Sequence, residues 1–321
     1  MAEISMREGF GRALLEYGAH NPKVVVLDVD TSSSTLSKYF ADRYPARFFN
    51  VGIAEPCMVD VAVGLALGGW IPFAHGFAAL IGLRALEQVR TCVCYARTNV
   101  KLAAGYAGLS DYKDGPTHHA ITDVSNMRAL PNMTVIVPAD AQEAGRWVPV
   151  VAEYDGPVYI RLSRAATLPV PNGAMPLQIG KALTLRSGQD VTLIANGAMV
   201  GRCLRAADRL AAEGIQARLL EAHTVKPLDA DAVLAAAEET GAVVTAEEHS
   251  VIGGLGSAVA ECLCGRRAVA FERVGIPDTF GRTAPNADQL LDAYGLSVED
   301  ICAAALRAIR RTERHISLQE G

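Results

Sequence analysis

Several features that would assign the chain to a membrane, a nucleic acid or a secretory route are missing from its 321 residues. No stretch reaches the roughly 20 apolar residues of a membrane span, and the N-terminal segment carries charges where a signal peptide has its apolar core. No Lys/Arg-rich run occurs and the formal net charge is -5. These absences predict a cytoplasmic protein that binds neither nucleic acid nor membrane and meets any anionic ligand locally.

Paired cysteine motifs are absent as well. The seven cysteines are odd in number, contain no C-x-x-C pair and mostly lie in apolar helical contexts. Buried free thiols are a better interpretation than disulfides or a zinc site. We therefore assign no metal ligand to this chain.

The composition is that of a folded protein, with 50% apolar and 20% charged residues. The length exceeds that of a usual single hydrophobic core, which favours two domains. Short β-branched runs predict strands over residues 23–30, 46–52, 100–106, 133–140 and 156–164. Longer segments with helical periodicity lie between them, including 55–68 and 82–98.

A second alternation follows a stretch rich in Pro, Gly and Ala. It predicts strands within 190–200, 215–222 and 241–249, and helices over 201–213, 229–240 and from about Gly254. The fold class is therefore α/β, with two tandem α/β domains. We place the first domain at residues 1–170, the linker at 171–186 and the second domain at 187–321.

One charged residue stands out in the segment "RFFNVGIAEPCMVDVAVGLALGG", residues 47–69. Glu55 precedes an apolar run that predicts a helix buried on nearly all sides. A carboxylate in a first helical turn is favoured by the exposed N–H groups and the helix dipole, which is a purely structural interpretation. A buried carboxylate, however, needs a donor or a proton of its own.

This segment, followed by "PFAHGFAAL", "DGPTHHAITDVSNMRALPNMTVIVPAD" and "YIRLSRAATLP", resembles the pyrimidine-binding and C-terminal domains of transketolase. The matches keep their order and rough spacing over residues 7–170. "VKPLDADAV" and "TAEEHSVIGGLGSAVAE" continue the likeness through the second domain.

The resemblance implies thiamine diphosphate as the cofactor. Glu55 would be the catalytic acid that hydrogen-bonds N1' of the aminopyrimidine, and Phe77 would stack on that ring. Asp28 and Ile53 would also bind the cofactor. Where the family often has further aromatics, this chain has Leu80 and Leu83, so we expect a more aliphatic pyrimidine pocket.

The resemblance also implies substrate contacts. In "KDGPTHH", Asp114 would bind a sugar hydroxyl, and His118, which we also expect to be catalytic, would lie near substrate and cofactor. Arg164 would hold phosphate through its planar guanidinium, with looser matches at Arg7 and Ser32. The family often has His where this chain has Tyr106, which argues for an unusual ketose donor.

The G-D-G motif with which transketolases bind Mg2+ and diphosphate does not occur in this sequence. We therefore expect a split enzyme. An N-terminal partner subunit would carry G-D-G and the Mg2+ ligands, the assembly would be α2β2, and the substrates would be sugars or sugar phosphates. The apolar helix after Glu55 would then be covered by partner surface.

Three alternatives stay open. The chain has the length of the β subunit of a 2-oxoacid dehydrogenase decarboxylase, although that group usually lacks "DGPTHH" and the S-R motif. It could instead be a catalytically silent homologue. The glycines of "IGGLGS" precede a helix as in a dinucleotide loop, but they lack G-x-G-x-x-G.

Overall fold

The structure, a computed structural model, describes residues 4–266 and 268–319, with side chains through residue 312. Two β-sheets, of seven and five strands, are covered by helices. The predicted α/β class with two tandem α/β units is confirmed. Within the described residues, no helix combines the length and the apolar character needed to cross a membrane.

The first part of the chain alternates strands and helices. Its helices are α1 Met6–His20, α2 Ser32–Thr35, α3 Lys38–Arg43, α4 Glu55–Leu67, α5 Ala78–Leu83, α6 Leu86–Gln88, α7 Asp123–Ala129 and α8 Ala141–Glu153. Its strands are β1 Val24–Asp28, β2 Phe48–Asn50, β3 Ile71–Phe77, β4 Lys101–Gly105, β5 Thr134–Ile136 and β6 Val158–Arg161. A 3-10 turn, Pro45–Arg47, and a π-helical segment, Val89–Tyr95, complete this part.

The second part repeats the alternation. Its strands are β7 Leu183–Arg186, β8 Val191–Ala195, β9 Ala217–Glu221, β10 Thr224–Lys226, β11 Ala242–Ser250 and β12 Ala270–Ile276. Its helices are α9 Met199–Ala212, α10 Ala230–Thr240, α11 Leu255–Leu263, α12 Ala287–Ala293 and α13 Val298–Gln319.

The first sheet has the order β10-β5-β6-β4-β3-β1-β2 and the second the order β12-β11-β8-β9-β7. All pairings are parallel except those of β10 with β5 and of β7 with β9. Strand β10 follows β9 in sequence but pairs with β5 in the first sheet. Backbone hydrogen bonds therefore connect the two parts of the chain. The domain boundaries at residues 170 and 187 stay a prediction.

The central strands are apolar on both faces because helices cover both sides of each sheet. In β1, Val26 points into one core and Leu27 into the opposite one. In β8, Leu193 and Ile194 divide in the same way. Successive strand residues face opposite sides, so a continuous apolar run is what a doubly covered parallel strand requires.

Several elements differ from the sequence prediction. The strands β7, β10 and β12 were not predicted, and β7 lies inside the segment predicted as a linker. The central strand β3 was missed because Pro72, His75 and Gly76 interrupt its apolar run. The single helix predicted over 82–98 is wrong. The chain leaves helical geometry at Ala85, with φ -97° and ψ 9°, and continues through short α6 into the π-helical segment.

Candidate active site

The predicted site residues gather at the carboxyl ends of neighbouring parallel strands. Asp28 ends β1, Phe77 ends β3, Tyr106 directly follows β4, and Arg164 lies three residues after β6. The carboxyl ends of parallel strands meet at one edge of a sheet, which is where open α/β sheets bind ligands. The fold thus explains why residues distant in sequence share one region.

Glu55 begins α4 after a turn in which Gly52 takes φ +75°, and Pro56 occupies the first helical turn, where no N–H is needed. The Glu55 side chain is 1% exposed, and Arg84 Nη1 donates to its Oε2 at 2.7 Å. Arg84, from the end of α5, is the donor that a buried carboxylate requires.

The prediction that α4 is buried on nearly all sides is wrong for this chain by itself. Only Glu55, Met58, Val59 and Ala62 of α4 are buried. Leu67 is 76% exposed and Ile53, just before the helix, is 74% exposed. The sequence shows an apolar helix but not which of its faces the same chain covers.

Three rings stand together beside the end of β3. The Phe77 and Tyr106 ring centroids are 4.3 Å apart, and the Phe77 and His118 centroids are 5.7 Å apart. His118 Nδ1 lies 3.0 Å from Thr117 Oγ1. Tyr106 takes φ +58°, an uncommon value for a bulky residue, so the backbone here is held by its surroundings.

Leu80 and Leu83 lie on α5, one turn apart. Leu80 is half-buried and Leu83 is 60% exposed. Both lie on the short helix that begins directly after Phe77, and the more aliphatic pyrimidine pocket stays a prediction.

Arg7 of α1 reaches the same region. Its guanidinium lies 5.6 Å from the Tyr106 ring centroid, with Nη1 3.5 Å from the Tyr106 hydroxyl. Arg7 Nη1 also donates to the carbonyl oxygen of Ser34 in α2, the helix that Ser32 begins. Among the described residues, no carboxylate forms an ion pair with Arg7, so its charge is free for an anion.

Arg164, unlike Arg7, has a carboxylate partner among the described residues. Its Nη1 donates to Asp111 Oδ1 at 2.8 Å, and its guanidinium lies 5.1 Å from the Tyr106 centroid. Asp111 is fully buried. Burial and the neighbouring Asp114 raise the pKa of the Asp111 carboxyl, while the Arg164 charge opposes the rise. Part of the Arg164 charge is therefore compensated within the chain.

His119 organises the loop that carries Asp114 and His118. Its side chain is buried, its Nε2 lies 3.0 Å from the Asp111 carbonyl oxygen, and burial lowers its pKa. Gly281, from the second part of the chain, packs so closely that a Cβ there would overlap His119 Nδ1. His119, which had no predicted role, positions this loop.

Asp28 is held by a set of hydroxyl groups. Its carboxylate accepts hydrogen bonds from the Thr31 N–H at 2.6 Å, from the Thr35 hydroxyl at 3.1 Å and from the Ser37 hydroxyl at 2.8 Å. Burial raises its pKa, and these donors work against the rise. The Asp28 carbonyl accepts from the Val51 N–H, which ties β1 to the turn before Glu55.

A cavity of about 690 Å3 opens beside Arg7 and Arg164, and its far wall includes Arg202 and Glu248 from the second part of the chain. Glu248 is 5% exposed and its Oε1 accepts from the Leu109 N–H at 2.7 Å. Burial raises the pKa of Glu248 to about 7, although the Arg161 charge and the Leu109 N–H lower it.

Glu248→Gln should therefore alter the pH dependence of stability. A raised native pKa contributes stability below the unfolded value of 4.5, and this contribution is lost as the pH rises through about 7. Gln cannot ionise, so the variant does not lose this contribution. Between pH 4.5 and about 7, its free energy of unfolding should therefore rise relative to that of wild type by up to about 3 kcal/mol. Urea titrations at several pH values measure it.

The control is Glu299→Gln, at an exposed position of α13. We expect at most about 1 kcal/mol from the loss of its surface ion pair, the usual limit for exposed pairs. A constant difference between Glu248→Gln and wild type over the same range would contradict the assignment.

The sequence analysis missed three residues of this region, namely Arg84, Asp111 and Glu248. A partial signal existed for Arg84, since a buried Glu55 calls for a cation and Arg84 ends the nearby apolar segment "FAALIGLR". Nothing in the sequence couples Asp111 to Arg164, which are 53 residues apart, or Glu248 to Leu109, which are 139 apart.

The donor set fits the pyrimidine half of thiamine diphosphate. A buried carboxylate at the start of α4, which packs on β3, can hydrogen-bond a ring nitrogen, and the half-buried Phe77 ring can stack on the heterocycle. Among the described residues, the group able to hold a metal ion, Glu143 with Glu221 and His223, involves none of these side chains.

Two family models match the sequence. The model of the transketolase pyrimidine-binding domain matches residues 2–169, and that of the transketolase C-terminal domain matches residues 180–301.

Individual proteins agree with these models. The 6-deoxy-6-sulfo-D-fructose transketolase subunit SqwH of a Clostridium species is 43% identical over 97% of this chain and 96% of its own length. An apulose-4-phosphate transketolase subunit of Phocaeicola vulgatus is 37% identical over 96% and 98%. A solved split gene transketolase, described as an inactive beta4 tetramer, is 47% identical with a TM-score of 0.89, covering 96% of this chain and 99% of that one.

Proposed function

Since the chain belongs to the transketolase family, we propose that it is the C-terminal subunit of a split, thiamine diphosphate-dependent transketolase that moves a two-carbon ketol unit from a ketose to an aldose. The observation that carries the proposal is Glu55, a buried carboxylate at the strand edge where Phe77, Tyr106 and His118 also gather. Arg84 partners this buried carboxylate, and the proposal gives the carboxylate a chemical role.

In this proposal Glu55 would hydrogen-bond N1' of the aminopyrimidine, Phe77 would stack on the ring and Ile53 would add an apolar contact. Asp28 would contact the cofactor from within its set of hydroxyl donors. The cofactor, once bound, supplies the electron sink that cleavage beside a ketose carbonyl requires. Mg2+ and the diphosphate are held by the partner subunit, which carries the G-D-G motif.

In this proposal the substrate carries an anionic group at one end. Arg7 and Arg164 flank Tyr106, and two guanidinium groups suit a phosphate or a sulfonate. Asp114 and His118 orient hydroxyl groups, and Ser32 adds a polar contact near Arg7. The relatives named for a sulfo-sugar and for a sugar phosphate act on substrates with such an end.

The partner would cover apolar surface around α4. Ile53, Val61, Leu67 and Leu83 are exposed in this chain, with Leu67 at 76%. Burying such surface stabilises an interface in proportion to the apolar area removed from water. We infer an α2β2 assembly for this chain and its partner. The similar solved chain, described as an inactive beta4 tetramer, would then be the form that such a chain takes without its N-terminal subunit.

Reconstitution tests the function. The chain is mixed with its N-terminal partner, thiamine diphosphate and Mg2+, and ketol transfer is measured with phosphorylated, sulfonated and uncharged ketoses. Transfer that needs both subunits supports the proposal. Release of CO2 from pyruvate would favour the 2-oxoacid dehydrogenase alternative, and no calorimetric binding of cofactor would favour the silent homologue.

Arg7→Met should raise KM for an anionic ketose by about 10- to 100-fold, because a hydrogen bond to a charged group contributes about 1.5–3 kcal/mol. The uncharged ketose should be little affected, and so should kcat. Steady-state kinetics of the reconstituted enzyme with both donors check this split.

Arg12→Met is the matched control, since Arg12 lies on the same helix and pairs with Glu8 at the surface. It should leave KM for both donors unchanged. Equal loss with charged and uncharged ketose in the Arg7 variant would show that Arg7 supports the fold rather than the anion.

A further inference from the structure

A second cluster of ionisable groups lies away from the active site, where three parts of the chain meet. Glu143 comes from α8, Asn172 from the segment between β6 and β7, Glu221 from the end of β9, and His223 from the turn between β9 and β10. All four side chains are fully buried. The cluster therefore lies between the two parts of the chain.

The two carboxylates are unequally satisfied. Glu143 accepts from Trp147 Nε1 at 2.9 Å, from the Ala139 N–H at 2.9 Å and from Asn172 Nδ2 at 3.1 Å. Glu221 accepts from Asn172 Nδ2 at 3.1 Å, through Oε2. Glu221 Oε1 is buried and has no hydrogen-bond partner among the described residues.

His223 adds a further lone pair. Its Nε2 faces the carbonyl oxygen of Gln178 at 3.4 Å, which places the ring proton on Nε2. Its Nδ1 is then an acceptor, has no hydrogen-bond partner in the described part of the chain and lies 3.9 Å from Glu143 Oε1. Asn172 Oδ1 is likewise buried without a partner there. Three acceptor atoms of the cluster are therefore buried without a hydrogen-bond partner among the described residues.

The Arg146 charge acts on His223, but Arg146 donates to the carbonyl oxygens of Asn172 and Met175 rather than to a carboxylate of the cluster. Neither Glu143 nor Glu221 forms an ion pair with Lys or Arg among the described residues, although buried carboxylates lacking a counter-charge are strongly destabilising. Burial and the Glu143 charge raise the pKa of Glu221, so the cluster is offset either by a proton held there or by a positive ligand. Water alone would have to donate to every unused lone pair.

We propose that Glu143, Glu221 and His223 bind one first-row divalent cation, Zn2+ or Mn2+, that links the two parts of the chain. The ligand atoms of the Glu143, Glu221 and His223 group lie within 4.8 Å of one another. Metal–ligand bonds of about 2.0–2.2 Å require only a small inward movement. A divalent ion neutralises both carboxylates, and the imidazole and oxygen donors suit borderline metals. Mg2+ fits poorly because it keeps several waters.

A comparable pair elsewhere in the chain needs no cation. His249 Nδ1 lies 3.8 Å from Glu247 Oε2, and both residues are buried. There, however, His249 Nε2 accepts from the Ser125 N–H, Nδ1 faces the Ser250 carbonyl, and Glu247 accepts from two backbone N–H groups. The Glu143, Glu221 and His223 cluster differs because it contains buried acceptor atoms, such as Glu221 Oε1 and His223 Nδ1, that have no hydrogen-bond partner in the described part of the chain.

The site escaped sequence analysis because its ligands show no metal-binding spacing. Glu143 is 78 residues before Glu221, and only Glu221 and His223 are close in sequence. The expectation that this chain offers no metal ligand rested on cysteine spacing and on the missing G-D-G motif, and neither bears on these residues.

Metal binding by the full chain, without any partner subunit or cofactor, tests the proposal. The protein is stripped with a chelator and then titrated with Zn2+, Mn2+ and Mg2+ by calorimetry, with bound metal counted by mass spectrometry. We expect one equivalent of Zn2+ or Mn2+, and a Tm higher by roughly 5 °C at 100-fold excess over Kd. Mn2+ matters because thiols such as Cys57 and Cys264 are exposed and attract Zn2+ but not Mn2+.

Glu221→Gln and His223→Gln should each weaken Mn2+ binding by at least about 10-fold, whereas His249→Gln should bind normally. Undiminished binding in the first two variants would place the metal elsewhere and overturn the proposal. So would the absence of both binding and Tm shift at millimolar metal, which would assign the cluster to a proton shared by Glu143 and Glu221. Neither result affects the proposed ketol transfer.

Discussion

Glu55→Gln should lower kcat of the reconstituted enzyme by about 10²- to 10⁴-fold, the usual contribution of a positioned acid or base. The amide keeps the size of the side chain but cannot exchange a proton with a ring nitrogen. Its carbonyl oxygen can still accept the hydrogen bond that Arg84 donates to the carboxylate at 2.7 Å in the native chain. We therefore expect a folded, assembled and nearly inactive enzyme.

Glu87→Gln is the matched control for this experiment. Glu87 lies on α6, pairs with Arg90 at the surface and is 62% exposed. Its removal should leave kcat unchanged. Kinetics of both variants with the same partner preparation, alongside cofactor binding by calorimetry, complete the comparison. Activity of Glu55→Gln within a few-fold of wild type would show that this carboxylate does not activate the cofactor.

Arg161→Met should reduce the free energy of unfolding by about 3–5 kcal/mol, the usual cost of breaking a buried ion pair. Arg161 Nε donates to Asp123 Oδ2 at 2.8 Å, and both side chains are buried. Tyr159 donates its hydroxyl proton to the same oxygen at 2.7 Å. The substitution leaves a buried carboxylate without its counter-charge.

Arg161 also connects the two parts of the chain. Its Nη2 donates to the carbonyl oxygens of Ala120 and Glu248, at 2.8 and 3.0 Å. Burial alone would raise the pKa of Asp123, but the Arg161 charge and the hydrogen bonds from Arg161 and Tyr159 lower it below the usual value. The pair therefore contributes stability above the unfolded pKa, and this contribution is lost as the pH falls through the native one.

Chemical denaturation of the chain measures this loss. Arg209→Met is the control, because Arg209 pairs with Glu299 at the surface, with exposures of 50% and 65%. Exposed pairs contribute at most about 1 kcal/mol. If the Arg161 variant lost no more than this control, the buried pair would not stabilise the fold.

Much of the fold was readable because parallel strands covered on both faces are apolar without interruption. β1 and β8 follow this rule and were found, whereas β3 was missed because Pro72, His75 and Gly76 hide it. Short edge strands such as β10 carry too few residues for a pattern. Their pairing is decided by what lies beside them in space.

The candidate site divides in a similar way. Glu55, Phe77, Asp114, His118 and Arg164 were predicted as site residues from ordered motifs, and their roles stay predictions. Their mutual arrangement, and the partners that set their charge, depend on contacts between distant segments. A local motif carries no information about such contacts.

The sequence by itself determined an α/β fold in two units, the family likeness and the identity of the carboxylate that begins α4. Only the tertiary structure decided that Arg84 partners Glu55, that Asp111 compensates Arg164, and that Glu143, Glu221 and His223 meet. The physical reason is range. Propensity and hydrophobic period act over a few residues, whereas electrostatic partners are chosen by distance in space, which the chain sets only after its sheets have paired.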